Sequence, residues 1–192
     1  MCSSDLQRVQ LIKSALSSIP LYFLLSLKLQ PGLIKPLDRI LRQCLWRDKD
    51  GPKPSLAAWE MICKPKVNGG LGIIDFQKKN DALLLKHLDK FYNNADMPWV
   101  KLIRDSYYYD VVPHAVTLSG SFWWRGIINL ADSSRLITHC KLGTGYSMLF
   151  WEDLWQKETL AKTFPRLFSF AKDKQSSVKE FLSLENMYDG FH

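Results

Sequence analysis

Apolar residues recur at helical spacing along most of this chain. Leu6, Val9, Ile12, Leu16 and Ile19 lie close to one 3.6-residue stripe and predict a helix over about 5–18. Ser4-Asp-Leu-Gln7 supplies a capping-box pattern at its start, and Pro20 closes it. Leu21–Leu29 is almost continuously apolar, so periodicity leaves a buried helix and a buried strand both open. Pro31-Gly32 signals a turn. A second helix over about 32–47 then carries an apolar stripe of Leu33, Leu37, Ile40, Leu41, Cys44 and Leu45. Lys35, Arg39, Arg42 and Arg47 form its basic side. Asp48–Pro54, rich in Asp, Gly and Pro, should break all regular structure.

Residues 55–75 read as irregular, with a short helix near Leu56–Cys63 and a glycine cluster at Gly69, Gly70 and Gly72. Asp75 is placed to cap a third helix over about 76–94, with Ala82, Leu83, Leu85, Leu88, Phe91 and Tyr92 apolar. A short helix follows over Pro98–Tyr109, then a linker over 110–120. Ser121–Leu130 reads as helical, extending towards Ile137. Cys140–Trp151 alternates and predicts a β-hairpin turning at Gly143-Thr-Gly145. The expected organisation is a basic helical region (1–95), a short helix and linker (96–120), a region with one hairpin (121–175) and a flexible tail (176–192). The fold class is therefore mainly α, with a helical bundle followed by a small α+β region.

Charge adds a second asymmetry. Residues 1–95 hold 15 Lys and Arg against 8 Asp and Glu, whereas 96–192 hold 11 of each. A polyanion-facing surface is expected on the first part alone. A composition of 46% hydrophobic and 23% charged residues fits a folded globular chain. Cys2, Cys44, Cys63 and Cys140 make no CxxC pair, and His87, His114, His139 and His192 complete no zinc spacing. No cofactor or metal is expected. The N-terminus lacks a signal-peptide pattern, and Ile19–Leu27 is too short to span a bilayer, so an intracellular chain without a membrane partner is expected.

Several blocks occur together in a fixed order. The first comprises Ser4, Arg8, Leu11, Ile12 and Ser14, and the second is Cys44-Leu45-Trp46. Then come Trp59, Cys63, Pro65, Lys66 and Gly69–Ile73, followed by Asn80, Ala82, Leu83 and Leu84. Phe150-Trp151-Glu152-Asp153 with Trp155, and Phe164-Pro165-Arg166-Leu167-Phe168, complete the series. In this order and spacing they resemble the region just C-terminal to the polymerase palm of non-LTR (LINE-type) retrotransposon reverse transcriptases, especially plant ones. Two departures stand out: Gln7 replaces a glycine of that pattern, and Lys86-His87-Leu88-Asp89-Lys90 stands where the family has Lys-Trp-x-Trp-Arg. The resemblance implies a thumb-like helical subdomain that grips the template–primer duplex, then a connection region. It places the palm upstream and a zinc-binding segment downstream, beyond His192.

Polymerase chemistry needs clustered carboxylates to hold two metal ions. The chain contains no Asp-Asp dipeptide, so no catalytic residue is assigned. Glu152 and Asp153 are adjacent, and on a strand they would point to opposite faces, which suits a capping or surface role better than shared chemistry. The Gly69–Gly72 cluster lacks the Lys-Ser/Thr of a P-loop and reads as a tight turn. The nucleic-acid candidates are Arg8, Lys13, Lys35, Arg39 and Arg42, with Lys64 and Lys66 flanking Pro65 beside the glycines. Trp46, Trp59, Trp123, Trp151 and Trp155 each lie in an apolar run and read as core anchors.

Two readings of function stay open. One is a non-catalytic reverse-transcriptase fragment that binds an RNA–DNA hybrid or other nucleic acid without sequence preference, its exposed apolar surface meeting the palm or another copy of itself. The other is a Trp-rich protein-interaction module. A hydrolase has little support, since G-x-S-x-G, H-E-x-x-H and a convincing Cys–His arrangement are all missing.

Overall fold

The computed structural model describes residues 3–48, 51–52, 55–109, 111–115, 119–184 and 186–192. Among them the chain is predominantly helical, as its periodicity predicts. Two compact units divide it, residues 1–84 and 85–192, where the charge pattern suggested a boundary near 95.

The first unit opens with α1 (Ser3–Leu11), which widens into a π-helical turn over Ile12–Leu16. Ile12 O accepts from both the Ser17 amide at 2.9 Å and the Ser17 hydroxyl at 2.7 Å, so the bulge carries its own side-chain bond. The helix already includes Ser3, two residues before its expected start. The ambiguous apolar run resolves as a short helix, α2 (Leu21–Ser26). α3 (Pro31–Trp46) starts on proline, whose missing N–H costs nothing in a first turn.

The buried face of α3 is Ile34, Leu41 and Leu45, while Leu33 and Ile40 are exposed. Ile34 and Leu41 rotate the expected stripe by one residue, and Leu33 and Ile40, seven apart, share the outer face. Arg47–Asp48 (β1) and Gly51–Pro52 (β2) form a two-residue antiparallel ladder inside the segment expected to break regular structure; residues 49, 50, 53 and 54 lie outside the described residues. α4 (Trp59–Cys63) starts three residues later than expected, and Leu56 is 83% exposed.

α5 (Phe76–Tyr92) begins where Asp75 predicts, with Asp75 Oδ1 accepting from the Lys78 amide at 3.1 Å. Ile12, Leu24, Ile34, Leu41, Leu45, Ile62, Ile73, Phe76 and Leu83 form one core. Asn80 lies inside this apolar setting. Its Nδ2 donates to Leu24 O at 2.6 Å and Leu27 O at 2.8 Å, and its Oδ1 accepts from the Leu29 amide at 2.9 Å. The orphan carbonyls at the end of α2 are thereby satisfied.

In the second unit Phe91, on the last turn of α5, packs against Tyr108 and Trp124 at 4.9 and 4.7 Å between ring centroids. Arg104, on α6 (Pro98–Tyr107), lies over the Phe91 ring and donates to Phe91 O at 2.7 Å. Ser121 caps α7 (Phe122–Ile128) through the Trp124 amide, and α8 (Ala131–Ile137) follows after a break at 129–130. The expected linker holds His114 and Ala115 buried, while Asp110 and residues 116–118 lie outside the described residues.

No hairpin forms over 139–152 among the described residues. Leu149 instead bridges Ser177, with Phe150 N donating to Ser176 O and Val178 N to Met148 O. The alternating segment thus pairs with a stretch nearly thirty residues on, not with its immediate neighbour. Residues 176–192, expected as a flexible tail, supply that partner and then α11 (Val178–Leu182). Ser177 and Glu180 make a complete capping box, and Phe181 stacks on Phe150 at 3.9 Å with the rings 15° apart. α9 (Leu160–Thr163) and α10 (Pro165–Phe170) precede it. Met148, Phe150, Trp151, Ala171, Val178 and Phe181 make up this second core.

Candidate functional site

Lys35, Arg39 and Arg42 fall at i, i+4 and i+7 of α3 and are all exposed, so they share one face. Lys64 and Lys66 are exposed at the start of the glycine turn, while Arg8 and Lys13 are half-exposed on α1 and its π-helical extension. The turn draws two of these together. A Cβ on Gly72 would lie 3.4 Å from Lys13 Nζ and 4.0 Å from Lys66 Cγ. Lys13 and Lys66, far apart in sequence, therefore flank the same glycine. Arg42 is engaged in the fold as well, its guanidinium 5.1 Å from the centre of the Trp59 ring.

The glycine cluster is a tight return of chain. Gly69 and Gly72 have φ of 78° and 65°, the left-handed region. Gly70 N donates to Pro65 O, Leu71 N to Ile62 O and Gly72 N to Lys64 O. These amides are spent on backbone carbonyls, as a turn requires, and are not left to cradle a phosphate.

Beside Trp59 lies a small polar nest. Burial raises the Asp38 carboxyl above 3.8; Arg42 opposes the shift, Asp75 adds to it and a hydrogen bond with the Trp59 side chain opposes it. Burial, Asp75 and Asp38 push the Cys63 thiol up to about 11. A carboxyl whose folded pKa is raised favours folding when protonated, and that contribution is lost as pH rises from 3.8 through the folded value. Asp38→Asn should therefore match the wild type near pH 3 and gain on it towards pH 7. Urea midpoints at both pH values check this, and a variant losing ground as pH rises contradicts it.

In the second unit a different group assembles. Asp153, 1% exposed, accepts on Oδ2 from the Leu149 amide at 2.7 Å and lies 2.7 Å from His114 Nδ1. Arg135 on α8 brings Nε to 3.5 Å from Asp153 Oδ1 and Nη1 to 3.0 Å from Glu152, and donates through Nη2 to His114 O at 2.7 Å. A surface role is corrected for Asp153 alone, which is buried and accepts from a loop amide as a capping carboxylate does, while Glu152 is partly exposed. Asp153 is the buried hub, and no strand forms to place the two on opposite faces. Cys140 joins the group, and ligand atoms of His114, Cys140 and Asp153 all lie within 4.8 Å of one another. Burial and Asp153 push the Cys140 thiol up to about 11, with Arg135 opposing. At neutral pH that thiol is protonated, which disfavours a nucleophilic role despite the neighbouring imidazole.

Trp124 and Trp151 are buried; Trp46, Trp59, Trp99, Trp123 and Trp155 are half-buried. Trp155 Nε1 donates to Phe150 O at 2.9 Å. His87, one of the departures from the family pattern, sets its ring edge-on to Trp99 and Trp123 at 5.8 and 5.5 Å, so an aromatic ring is kept where the pattern has Trp.

The chain is 29% identical over 154 residues to a candidate ribonuclease H protein of Arabidopsis thaliana, covering 77% of this chain but 25% of that protein. It is also 29% identical over 149 residues to an uncharacterized mitochondrial protein of Arabidopsis thaliana, covering 72% of this chain and 92% of that protein. The chain thus spans about a quarter of the first relative's length and nearly all of the second's. No protein-family model and no solved structure matches it.

Proposed function

We propose that this chain is the thumb-and-connection part of a plant retrotransposon-type reverse transcriptase, and that by itself it binds template–primer duplexes without catalysing nucleotide addition. The observation that carries the reading is the exposed basic face Lys35, Arg39 and Arg42, together with the Lys13–Lys66 pair at the glycine turn. All lie within the half of the chain that holds the net positive charge. The ordered sequence blocks and the similarity to two plant proteins support the family. Among the described residues the one group of three or more metal-capable side chains has a single carboxylate, which does not suit a two-metal polymerase or nuclease centre. Every described tryptophan is buried or half-buried, which weighs against a Trp-based interaction module. Ile19, Tyr22 and Phe23, exposed by 72, 74 and 57%, supply an apolar surface suited to the rest of the polymerase or to a second copy. No helix among the described residues is long and apolar enough to cross a membrane.

The test is a salt titration of a short labelled RNA–DNA hybrid against the chain. Substituting Lys35, Arg39 and Lys66 with Gln spares Arg42, whose loss would also disturb Trp59. If all three touch phosphates, the log–log salt slope should flatten by roughly 2 to 3 and affinity should fall alike for every sequence. Binding unchanged at every salt concentration overturns the assignment, and template-dependent nucleotide incorporation overturns the non-catalytic part.

A further inference from the structure

We propose that His114, Cys140 and Asp153 form a structural site for a borderline-soft divalent cation such as zinc. The three donors, one nitrogen, one sulfur and one oxygen, are a set that zinc accepts. Tetrahedral coordination at ordinary bond lengths places such donors about 3.3–3.6 Å apart. The observed group, all within 4.8 Å, stands about an ångström from that spacing.

Three further features support a cation here. Among the described residues Asp153 Oδ1 receives no hydrogen bond, although it is buried. Its nearest cation is Arg135 Nε at 3.5 Å, a loose contact, and Arg135 has Asp132 and Glu152 as alternative partners at 3.1 and 3.0 Å. Metal binding would release the proton shared by His114 Nδ1 and Asp153 Oδ2 and part those two atoms, freeing Nδ1 for the ion; Oδ2 would keep its Leu149 amide and the unpartnered Oδ1 would be the oxygen ligand. The ligands also come from segments that need a tie. Residues 111–115 and 138–159 contain neither helix nor ladder beyond the bridge at Leu149; Cys140 N already donates to Leu154 O at 2.9 Å, and a metal would add a tie from that pair of segments to His114. Cys140 is half-exposed, which leaves an entry path and room for a water as fourth ligand.

Cobalt(II) added to the full chain, reduced and freed of chelators, is the probe. The expected result is one equivalent bound, with the intense visible bands of a tetrahedral site and a thiolate-to-cobalt charge-transfer band. Cys140→Ser should abolish the charge-transfer band while far-ultraviolet circular dichroism shows the helices intact. Cys44→Ser and Cys63→Ser should keep it, since both cysteines lie in the other unit. Zinc should displace the cobalt and raise the thermal midpoint of the wild type but not of Cys140→Ser. Should Cys140→Ser lose its helical signal, His114→Gln replaces it in both measurements. Absence of a charge-transfer band in the wild type overturns the proposal, as does a band that survives Cys140→Ser.

Discussion

Asn80→Leu should cost about 2 to 4 kcal/mol of folding free energy, because it removes the partner of three backbone groups at once, one buried and two part-buried. The amide side chain closes the C-terminal end of α2 by donating to Leu24 O and Leu27 O and accepting from Leu29 N, and it is wholly buried in doing so. Leucine has similar volume and fills the space, yet it offers neither donor nor acceptor. Leu24 O would be left buried without a partner, and the part-buried Leu27 O and Leu29 N would lose theirs. Asn80→Asp separates geometry from charge. It keeps the acceptor for Leu29 N but sets a carboxylate against two carbonyl oxygens, so it should be no better than leucine at neutral pH and improve in acid. The neighbouring Lys28–Asp81 ion pair, 29% and 34% exposed, should matter much less. Asn93→Leu serves as the control, since Asn93 is an exposed partner of Asp89 one turn away. Equilibrium urea unfolding of the three variants decides the matter, and a loss below about 1 kcal/mol for Asn80→Leu means the groups find other partners.

Asn80 also shows what a sequence discloses. It was legible as part of an ordered block, and α5 around it was legible from period and cap, but that its amide would serve α2 was not. Helices announce themselves through local spacing, so α3, α5, α6, α7 and α8 lie within a few residues of their expected bounds. Pairing partners do not. The segment Cys140–Trp151 reads as a local hairpin turning at Gly143-Thr-Gly145, and nothing in it says that 176–178 pairs with 148–150. Gly145 was read as a turn residue, yet its φ of 77° and a Cβ position 3.1 Å from Lys179 N show that it lets the chain approach the start of α11. Ser177-x-x-Glu180 carries the same capping-box pattern and forms the complete box at the start of α11. The His114–Cys140–Asp153 group escaped because its members lie 26 and 13 residues apart along the chain, intervals that match no spacing rule for metal or catalytic motifs. Arg135, which binds both His114 and Asp153, carried no sequence signal beyond its place on α8.

Gly70→Ala should be nearly as damaging, at about 3 kcal/mol or more, and it tests whether the glycine cluster is there for closeness or for conformation. A Cβ on Gly70 would stand 2.0 Å from Lys64 O and 2.5 Å from Lys64 C, so the obstacle is backbone and cannot rotate away. Those atoms belong to the return in which Gly72 N donates to Lys64 O and Leu71 N to Ile62 O. Relieving the clash means opening the return and exposing Ile62 and Ile73, both in the core. Gly69 offers the complementary case. Its φ is 78° but nothing lies within 4 Å of a Cβ there, so alanine should cost only the left-handed strain of about 1 to 2 kcal/mol. Gly143, with open space and no positive φ, should tolerate alanine within about 0.5 kcal/mol. The order Gly70, Gly69, Gly143 in urea midpoints is the expected result. If Gly69→Ala proves worse than Gly70→Ala, backbone conformation and not close approach holds the turn. Opening it would also move Lys66 away from Lys13, so Gly70→Ala should weaken hybrid binding beyond what its lost stability accounts for.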